Sequence, residues 1–254
     1  MDRAIVLGCA IDRLTIEQTI ARSQSLIEAR GCAQHVAVNA AKIVSMQSDP
    51  RLRQIVGRCA LVNADGQSVV WASRLLGDPL PERVAGIDLM YRLLKLAEEK
   101  GYRVFVLGAR QDVLERALER LRERHPRLRL AGARHGYFSE AESPAVCEEI
   151  RAARADILFV AMSSPRKEYW LAEHAGDLGT PFLMGVGGAI DVIAGVTRRA
   201  PRLVQRMGLE WLYRLVQEPR RLMRRYATTN FRFVGLTVRA FCSSKVWPRH
   251  RDRA

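Results

Sequence analysis

The stretch RVFVLGARQDVLERALERLRER, residues 103–124, decides the fold. It opens on an apolar run, Arg103 to Leu107, of the kind that forms a strand buried on both faces. Gly108-Ala109-Arg110 interrupts the run, and a period of 3.6 residues takes over. Val113, Leu114, Ala117, Leu118 and Leu121 fall on one helical face, with Arg and Glu opposite. The same alternation continues outward in both directions. Strands are expected at His35 to Asn39, Ala60 to Asn63, Leu128 to Gly132, Ile157 to Met162 and Pro181 to Val186. Helices are expected at Ala41 to Val56, Gln67 to Leu76, Asp88 to Lys100, Ser143 to Ala153 and Arg166 to Ala175. Alternation of this kind predicts an α/β, Rossmann-like, open and mostly parallel sheet flanked by helices.

Ligands in such sheets sit at the carboxyl ends of the strands, so the segment after each strand carries the candidates. These are Asn39-Ala40-Ala41, Asn63-Ala64-Asp65-Gly66, Gly108-Ala109-Arg110, Ser163-Ser164-Pro165-Arg166 and Gly185-Val186-Gly187-Gly188. Asp65 is the sharpest, because a carboxylate there can accept a proton from an attacking hydroxyl. An Asp-Gly turn explains the same residue without chemistry. Asn39 is placed to bind a ligand hydroxyl or to cap the next helix. Arg83 sits in a loop from which a guanidinium can grip a diphosphate, or it is a solvated surface charge. Asp88 reads most simply as the N-cap of the following helix. The glycines at 185–188 miss the G-x-G-x-x-G pattern and come late in the chain, which argues against a nicotinamide dinucleotide site. No P-loop, G-x-S-x-G elbow, D-x-D pair or metal-ligand spacing is present, so no metal and no cofactor is expected.

Apolar residues make up 48% of the 254 residues and charged residues 27%, an ordinary globular balance. The net charge of +14 is concentrated at one end. From Val196 onward, fourteen Arg and one Lys stand against Glu210, Glu218 and Asp252, a balance of +12 that leaves about +2 for the first 195 residues. After Gly195 the pattern becomes a basic, amphipathic helical appendage, with Leu203, Met207, Leu209, Leu212, Tyr213, Leu215 and Val216 as its apolar stripe and a break at Pro219. Two units are therefore expected: an α/β core over 1–195 and the appendage over 196–254. Such a field draws nucleic acid, anionic lipid or phosphorylated substrates. No stretch approaches the roughly 20 apolar residues that span a bilayer, and Met1-Asp2-Arg3 leads into a strand-like run without a leader pattern. Leu222, Met223, Phe231 and Phe233 are candidates for shallow insertion into a membrane surface. Five widely spaced cysteines without a C-x-x-C suit a reducing, cytoplasmic setting.

In order and spacing, the chain resembles the WecG/TagA/CpsF family of bacterial glycosyltransferases from about His35 to Asn230. The resemblance rests on Asn63-Ala64-Asp65-Gly66, Arg83-Val84-Ala85-Gly86-Ile87-Asp88, and Gly185-Val186-Gly187-Gly188-Ala189-Ile190-Asp191. It continues through Arg199-Ala200-Pro201, Gly208-Leu209-Glu210-Trp211-Leu212-Tyr213-Arg214-Leu215 and Gln217-Glu218-Pro219-Arg220-Arg221. It implies an inverting, metal-independent transfer of a sugar from a UDP-sugar to a polyprenyl-diphosphate-linked sugar, in cell-surface polysaccharide synthesis. Asp65 would then be the general base. Asn39, Asn63, Arg83, Asp88, Gly108, Lys167, Gly187, Gly188 and Asp191 would line the substrate site. Arg214, Arg221 and Arg224 of the appendage would reach the diphosphate as it closes over the site and docks on an anionic membrane surface. The expected location is the cytoplasmic face of the membrane, held peripherally. Three positions depart from the family pattern: Ala37 stands for a usual Thr, Ala41 for a frequent Glu, and Lys167 for the Gln of P-K-Q-E. A non-catalytic scaffold of a polysaccharide assembly complex remains an alternative on those departures. A nucleic-acid binder remains one on the tail's charge, although nucleic acid is not the expected partner; homo-oligomerisation is left open.

Overall fold

The computed structural model describes residues 2–217 and 219–246; the side chains of Arg214, Arg221, Leu222 and Arg224 lie outside the described residues. The chain begins with an antiparallel hairpin, β1 (Arg3–Val6) and β2 (Cys9–Asp12), followed by helix α1 (Ile16–Glu28). Then come β3 (Ala33–Val38), α2 (Ala40–Ser48), α3 (Pro50–Arg58), β4 (Leu61–Ala64), α4 (Gln67–Leu75) and α5 (Gly86–Lys100). The second half runs through β5 (Arg103–Gly108), α6 (Gln111–Arg124), β6 (Arg129–Arg134), α7 (Ser143–Ala153), β7 (Ile157–Ala161), α8 (Arg166–His174), β8 (Phe182–Gly185) and α9 (Ala189–Ile193). Three further helices close the chain: α10 (Arg202–Arg206), α11 (Glu210–Gln217) and α12 (Pro219–Val246).

Six strands form one sheet in the order β4-β3-β8-β7-β5-β6, and every neighbouring pair is parallel. Successive side chains of a strand point to opposite faces, and both faces are buried. Val104 and Val106 of β5 join Ile27, Leu93, Leu114 and Ile190 of α1, α5, α6 and α9. Phe105 and Leu107 join Ile150 and Leu171 of α7 and α8 on the other side. On that same side, under β3 and β4, Val36, Val38 and Val62 pack with Ile43, Leu52 and Val70 and with Val6 and Ile11 of the hairpin. Helices on both faces of a parallel sheet explain why the strands read as apolar runs without alternation.

Three local expectations change. The helix expected at Ala41 to Val56 is two helices, because Pro50 lacks an N–H and starts a new one. Asp49 ends the first and caps the second, accepting from the Leu52 amide at 2.9 Å. The hairpin and α1 add structure ahead of the expected sheet. Phe233, expected on the membrane side, is buried (4% exposed) within the apolar cluster under β3 and β4, where α12 lies against α2. Phe231, two residues earlier, is 81% exposed. Among the described residues no helix is long and apolar enough to cross a membrane.

Gly108 ends β5 with φ +121°, and a Cβ there would lie 2.6 Å from the backbone carbon and oxygen of Ala161. Neither the conformation nor the space admits a side chain. Gly108→Ala is expected to lower unfolding free energy by about 3 kcal/mol or more, read as a shift of the urea midpoint; an unchanged midpoint would show that β5 and β7 can separate at that end.

Candidate active site at the strand ends

Neighbouring parallel strands β3 and β4 run in register, Ala37 opposite Asn63 and Val38 opposite Ala64. Asn39 and Asp65 therefore emerge side by side at the carboxyl edge. Asp65 is fixed from both ends: its amide donates to the Val38 carbonyl at 2.8 Å, and its Oδ1 accepts from the Gly86 amide at 2.9 Å. The second bond ties the carboxylate to the loop that starts α5 and leaves Oδ2 for other work. Asn39 does cap α2, with Oδ1 accepting from the Lys42 amide at 3.1 Å. Its side chain stays half-buried at the edge of the crevice. The Cα of Gly86 faces Ala37, where a Cβ would lie 3.4 Å from that of Ala37, so the position where the family pattern has Thr abuts the same loop.

Asn63 does not face the crevice. It is buried, its Oδ1 takes the His35 Nε2 hydrogen at 3.0 Å, and its amide nitrogen donates to Thr19 Oγ1 at 3.1 Å. Thr19 in turn donates to the Thr15 carbonyl at 2.8 Å. The relay joins β3, β4 and α1 beneath the site. His35 Nδ1 is buried without a hydrogen-bond partner. Burial drives the imidazole pKa down to about 4, against the smaller upward pull of the Asn63 bond.

Asp88 is not the N-cap of α5; Ala85 is, and Asp88 sits in the first turn. Its carboxylate instead takes Arg199 Nη2 at 2.7 Å. Arg199 also lies 3.9 Å from Glu210, and Glu210 takes Arg83 Nη1 at 3.1 Å. The charge chain Asp88–Arg199–Glu210–Arg83 thus pins the segment after Gly195 onto the loop that holds Asp65. A shallow cleft of about 280 Å³ opens beside it, lined by Gln67, Arg83, Arg202 and Gln205.

Further along the edge, Lys42 of α2 and Lys167 of α8 share one buried carboxylate oxygen of Glu168, at 2.6 and 3.1 Å. Burial alone would raise the Glu168 pKa; the two ammonium groups outweigh it and hold it at about 2. Lys167 lies across the end of β8, where a Cβ on Gly185 would meet its Cε at 2.7 Å. Gly187 and Gly188 form the turn into α9, and Asp191 occupies that helix's first turn. Gly108 proves to be a packing glycine: it is buried, with Ala161 and Gly136 against its Cα. Lys42, Glu168, His35, Arg199 and Glu210 were given no role from sequence. The signal available for the first two was a charge on each of two helix faces that otherwise turn inward.

The family model for the glycosyl transferase WecG/TagA/CpsF family matches residues 4–246. The chain belongs to that family. Curated relatives include the N-acetylglucosaminyldiphosphoundecaprenol N-acetyl-beta-D-mannosaminyltransferases of Staphylococcus aureus strains MW2 and NCTC 8325 / PS 47. Each is 36% identical over 171 residues, or 67% of this chain and 66% of the relative. The match thus spans just under two thirds of those relatives' length. Within this WecG/TagA/CpsF member the quoted motifs fall into two groups by geometry. Asn39, Asp65, Arg83 and Asp88 meet at the β3–β4 end, while Gly187, Gly188 and Asp191 meet at the β8 end, with Lys167 between them.

The buried histidine sets an acid limit on this architecture. With a folded-state pKa of about 4 against an ordinary 6.5, His35 leaves stability complete above pH 6.5 and withdraws it as pH falls toward 4. The shifted carboxylates, Glu28, Asp49, Glu98, Asp112, Glu142 and Glu168, all move down and so act below about pH 4.5. Between pH 6.5 and 4.5 the loss is expected to reach about 2 kcal/mol and to flatten in His35→Gln, read from urea midpoints. An equal slope in the variant would assign the loss to another group.

Proposed function

We propose that this chain is an inverting, metal-independent glycosyltransferase that moves a sugar from a UDP-sugar onto a polyprenyl-diphosphate-linked sugar in cell-surface polysaccharide synthesis. The observation that carries the reading is Asp65. It is a carboxylate clamped by one oxygen at the end of a parallel strand, beside Asn39 and beneath a basic segment that closes on the same loop. The acceptor hydroxyl attacks the anomeric carbon and its proton passes to Asp65 as the bond to UDP breaks. The electron pair leaves with the diphosphate, so negative charge grows there. Arg214, Arg221 and Arg224 are assigned to meet that charge, while Arg83, once it leaves Glu210, grips the diphosphate of the acceptor. Asn39 orients the acceptor, and Gly187, Gly188 and Asp191 receive the donor. Lys167, standing where the family pattern has Gln, adds a cation to the middle of the crevice and is the reason to test donors beyond N-acetylmannosamine.

The functional division we favour is an α/β core through residue 195 and a closing, membrane-docking segment from 196 onward. On α12, Phe231, Val234 and Val238 are exposed at spacings of three and four residues, with Arg232 and Arg239 exposed among them. That ridge fits an anionic lipid surface, where each basic residue contributes on the order of 1 kcal/mol, and it supports a peripheral location at the cytoplasmic face.

Asp65→Asn keeps the oxygen that accepts from Gly86 and removes the base. UDP release from a UDP-sugar and a short-chain lipid-diphosphate-sugar is expected to fall at least about 100-fold with the melting temperature unchanged. Full turnover in this variant would sink the assignment. On α12, Phe231 and Phe233 should part company. Phe231→Ala weakens flotation with anionic liposomes without loss of stability, whereas Phe233→Ala costs about 3 kcal/mol of stability; flotation that ignores Phe231 would remove the ridge from the membrane.

A further inference from the structure

The cleft between α4 and α10 holds an unusual arrangement of charge. Two arginines and two glutamines line it, Arg83 and Gln67 from the core and Arg202 and Gln205 from the segment beyond Gly195. The two sides are in contact just below, since a Cβ on Gly208 would meet the Gln67 side chain at 2.9 Å and the Trp71 ring at 3.1 Å. Helix α4 begins at this wall, with Gly66 as an N-cap that makes no side-chain hydrogen bond. The carboxylate of Glu210 reaches in from α11, 3.1 Å from Arg83 and 3.9 Å from Arg199, whose buried Nε has no hydrogen-bond partner. A carboxylate shared by two guanidiniums occupies the place that a bidentate oxyanion would take.

We propose that this cleft is the seat of a diphosphate carried on an apolar chain, and that Glu210 stands in for it when the site is empty. On binding, Arg83 exchanges Glu210 for the phosphates and Arg202 joins it, with Gln67 and Gln205 supplying neutral hydrogen bonds. A diphosphate diester carries two negative charges, which these two arginines match. The apolar chain is argued from the same segment: Leu203 (69% exposed) and Met207 (53%) flank Arg202 and Gln205, and Val216 (74%) follows one helix on. Those side chains suit a lipid-linked diphosphate and give a free nucleotide nothing to use. The proposal rests on the glycosyltransferase reading and assigns its acceptor to the cleft, apart from the donor at the β8 end.

The test is calorimetric binding of two probes, farnesyl-diphosphate-linked N-acetylglucosamine and UDP, to the full chain and three variants. Arg202→Ala, at an exposed position, should weaken the lipid probe about tenfold. Glu210→Gln, which removes the competing charge and leaves the shape, should strengthen it several-fold. UDP affinity should stay within twofold in both, and Arg122→Ala on the outer face of α6 should change neither probe. Lipid-probe binding indifferent to Arg202, or weakened by Glu210→Gln in a variant that melts like the parent, overturns the proposal. A tenfold loss of UDP affinity in Arg202→Ala also overturns it, by making the cleft a donor site. Absence of turnover with every donor would count against the glycosyltransferase reading, whereas the responses of probe binding to Arg202 and Glu210 decide the cleft.

Discussion

The hydrogen bond from the Gly86 amide to Asp65 Oδ1 is the interaction on which the rest of the site depends. It fixes the carboxylate, and it fixes the 83–88 loop with equal force. That loop carries Arg83 and Asp88, the two core residues that receive the charge chain from Arg199 and Glu210. A single 2.9 Å contact therefore couples the orientation of the proposed base to the docking of the closing segment. Because Val38 and Ala64 are in register, the amide of Asp65 is held as well, and the residue has little freedom to act as a mere turn. The turn reading and the chemical reading of Asp65 are thus compatible: the backbone turns there, and the side chain is aimed by the turn.

Beneath this edge the protein uses buried polar groups to set positions at some expense of stability. The Lys42–Glu168–Lys167 group places more positive than negative charge out of water, and replacing such groups with apolar ones often stabilises a fold. What they fix is geometry. Lys42 follows Asn39 by less than one helical turn and donates its amide to it, so the salt bridge to Glu168 anchors the first turn of α2 against α8. The His35–Asn63–Thr19 relay does the same on the other side of β3, with a histidine kept neutral by its surroundings. The relay lies one layer under residues expected to touch substrate, and the lysine–glutamate group includes one of them, Lys167; small displacements there have large effects on a reacting geometry.

Fold class was legible because both faces of the parallel sheet are covered, which writes each strand as an apolar run and each helix as a stripe. The hairpin β1–β2 was harder to read. Four-residue strands carry little pattern, and their pairing is decided by Arg3–Asp12 and by burial against β4 and α2. Asn63 is drawn toward the site by its place in a motif, and Gly108 by its place after a strand. Whether a residue at a strand end points up into a crevice or down into the core depends on register, and a sequence of period two in a doubly buried strand does not announce register. The charge chain was invisible for another reason. Its members are 83, 88, 199 and 210, and spacing along the chain says nothing about which distant opposite charges meet. Phe233 and Phe231 illustrate the same limit on a helix, where a stripe shows which residues share a face without showing which face finds a partner.

The segment beyond Gly195 looks in sequence like a basic appendage, and its charge invites a purely electrostatic account. Its structure argues for something more constrained. Phe233 is buried with core residues, so the far end of the described segment is anchored against α2 by apolar packing. Glu210, one of the few acids in a strongly basic stretch, anchors the near end by pairing with Arg83. Between these two fixed points lie α11 and the start of α12, which carry Arg214, Arg221 and Arg224. A segment held at both ends can shift its middle without losing its attachment. The near anchor is made of charges that a diphosphate can replace, and the far anchor is not. Ligand binding would therefore rearrange the arginine-bearing middle while the hold on the core persists.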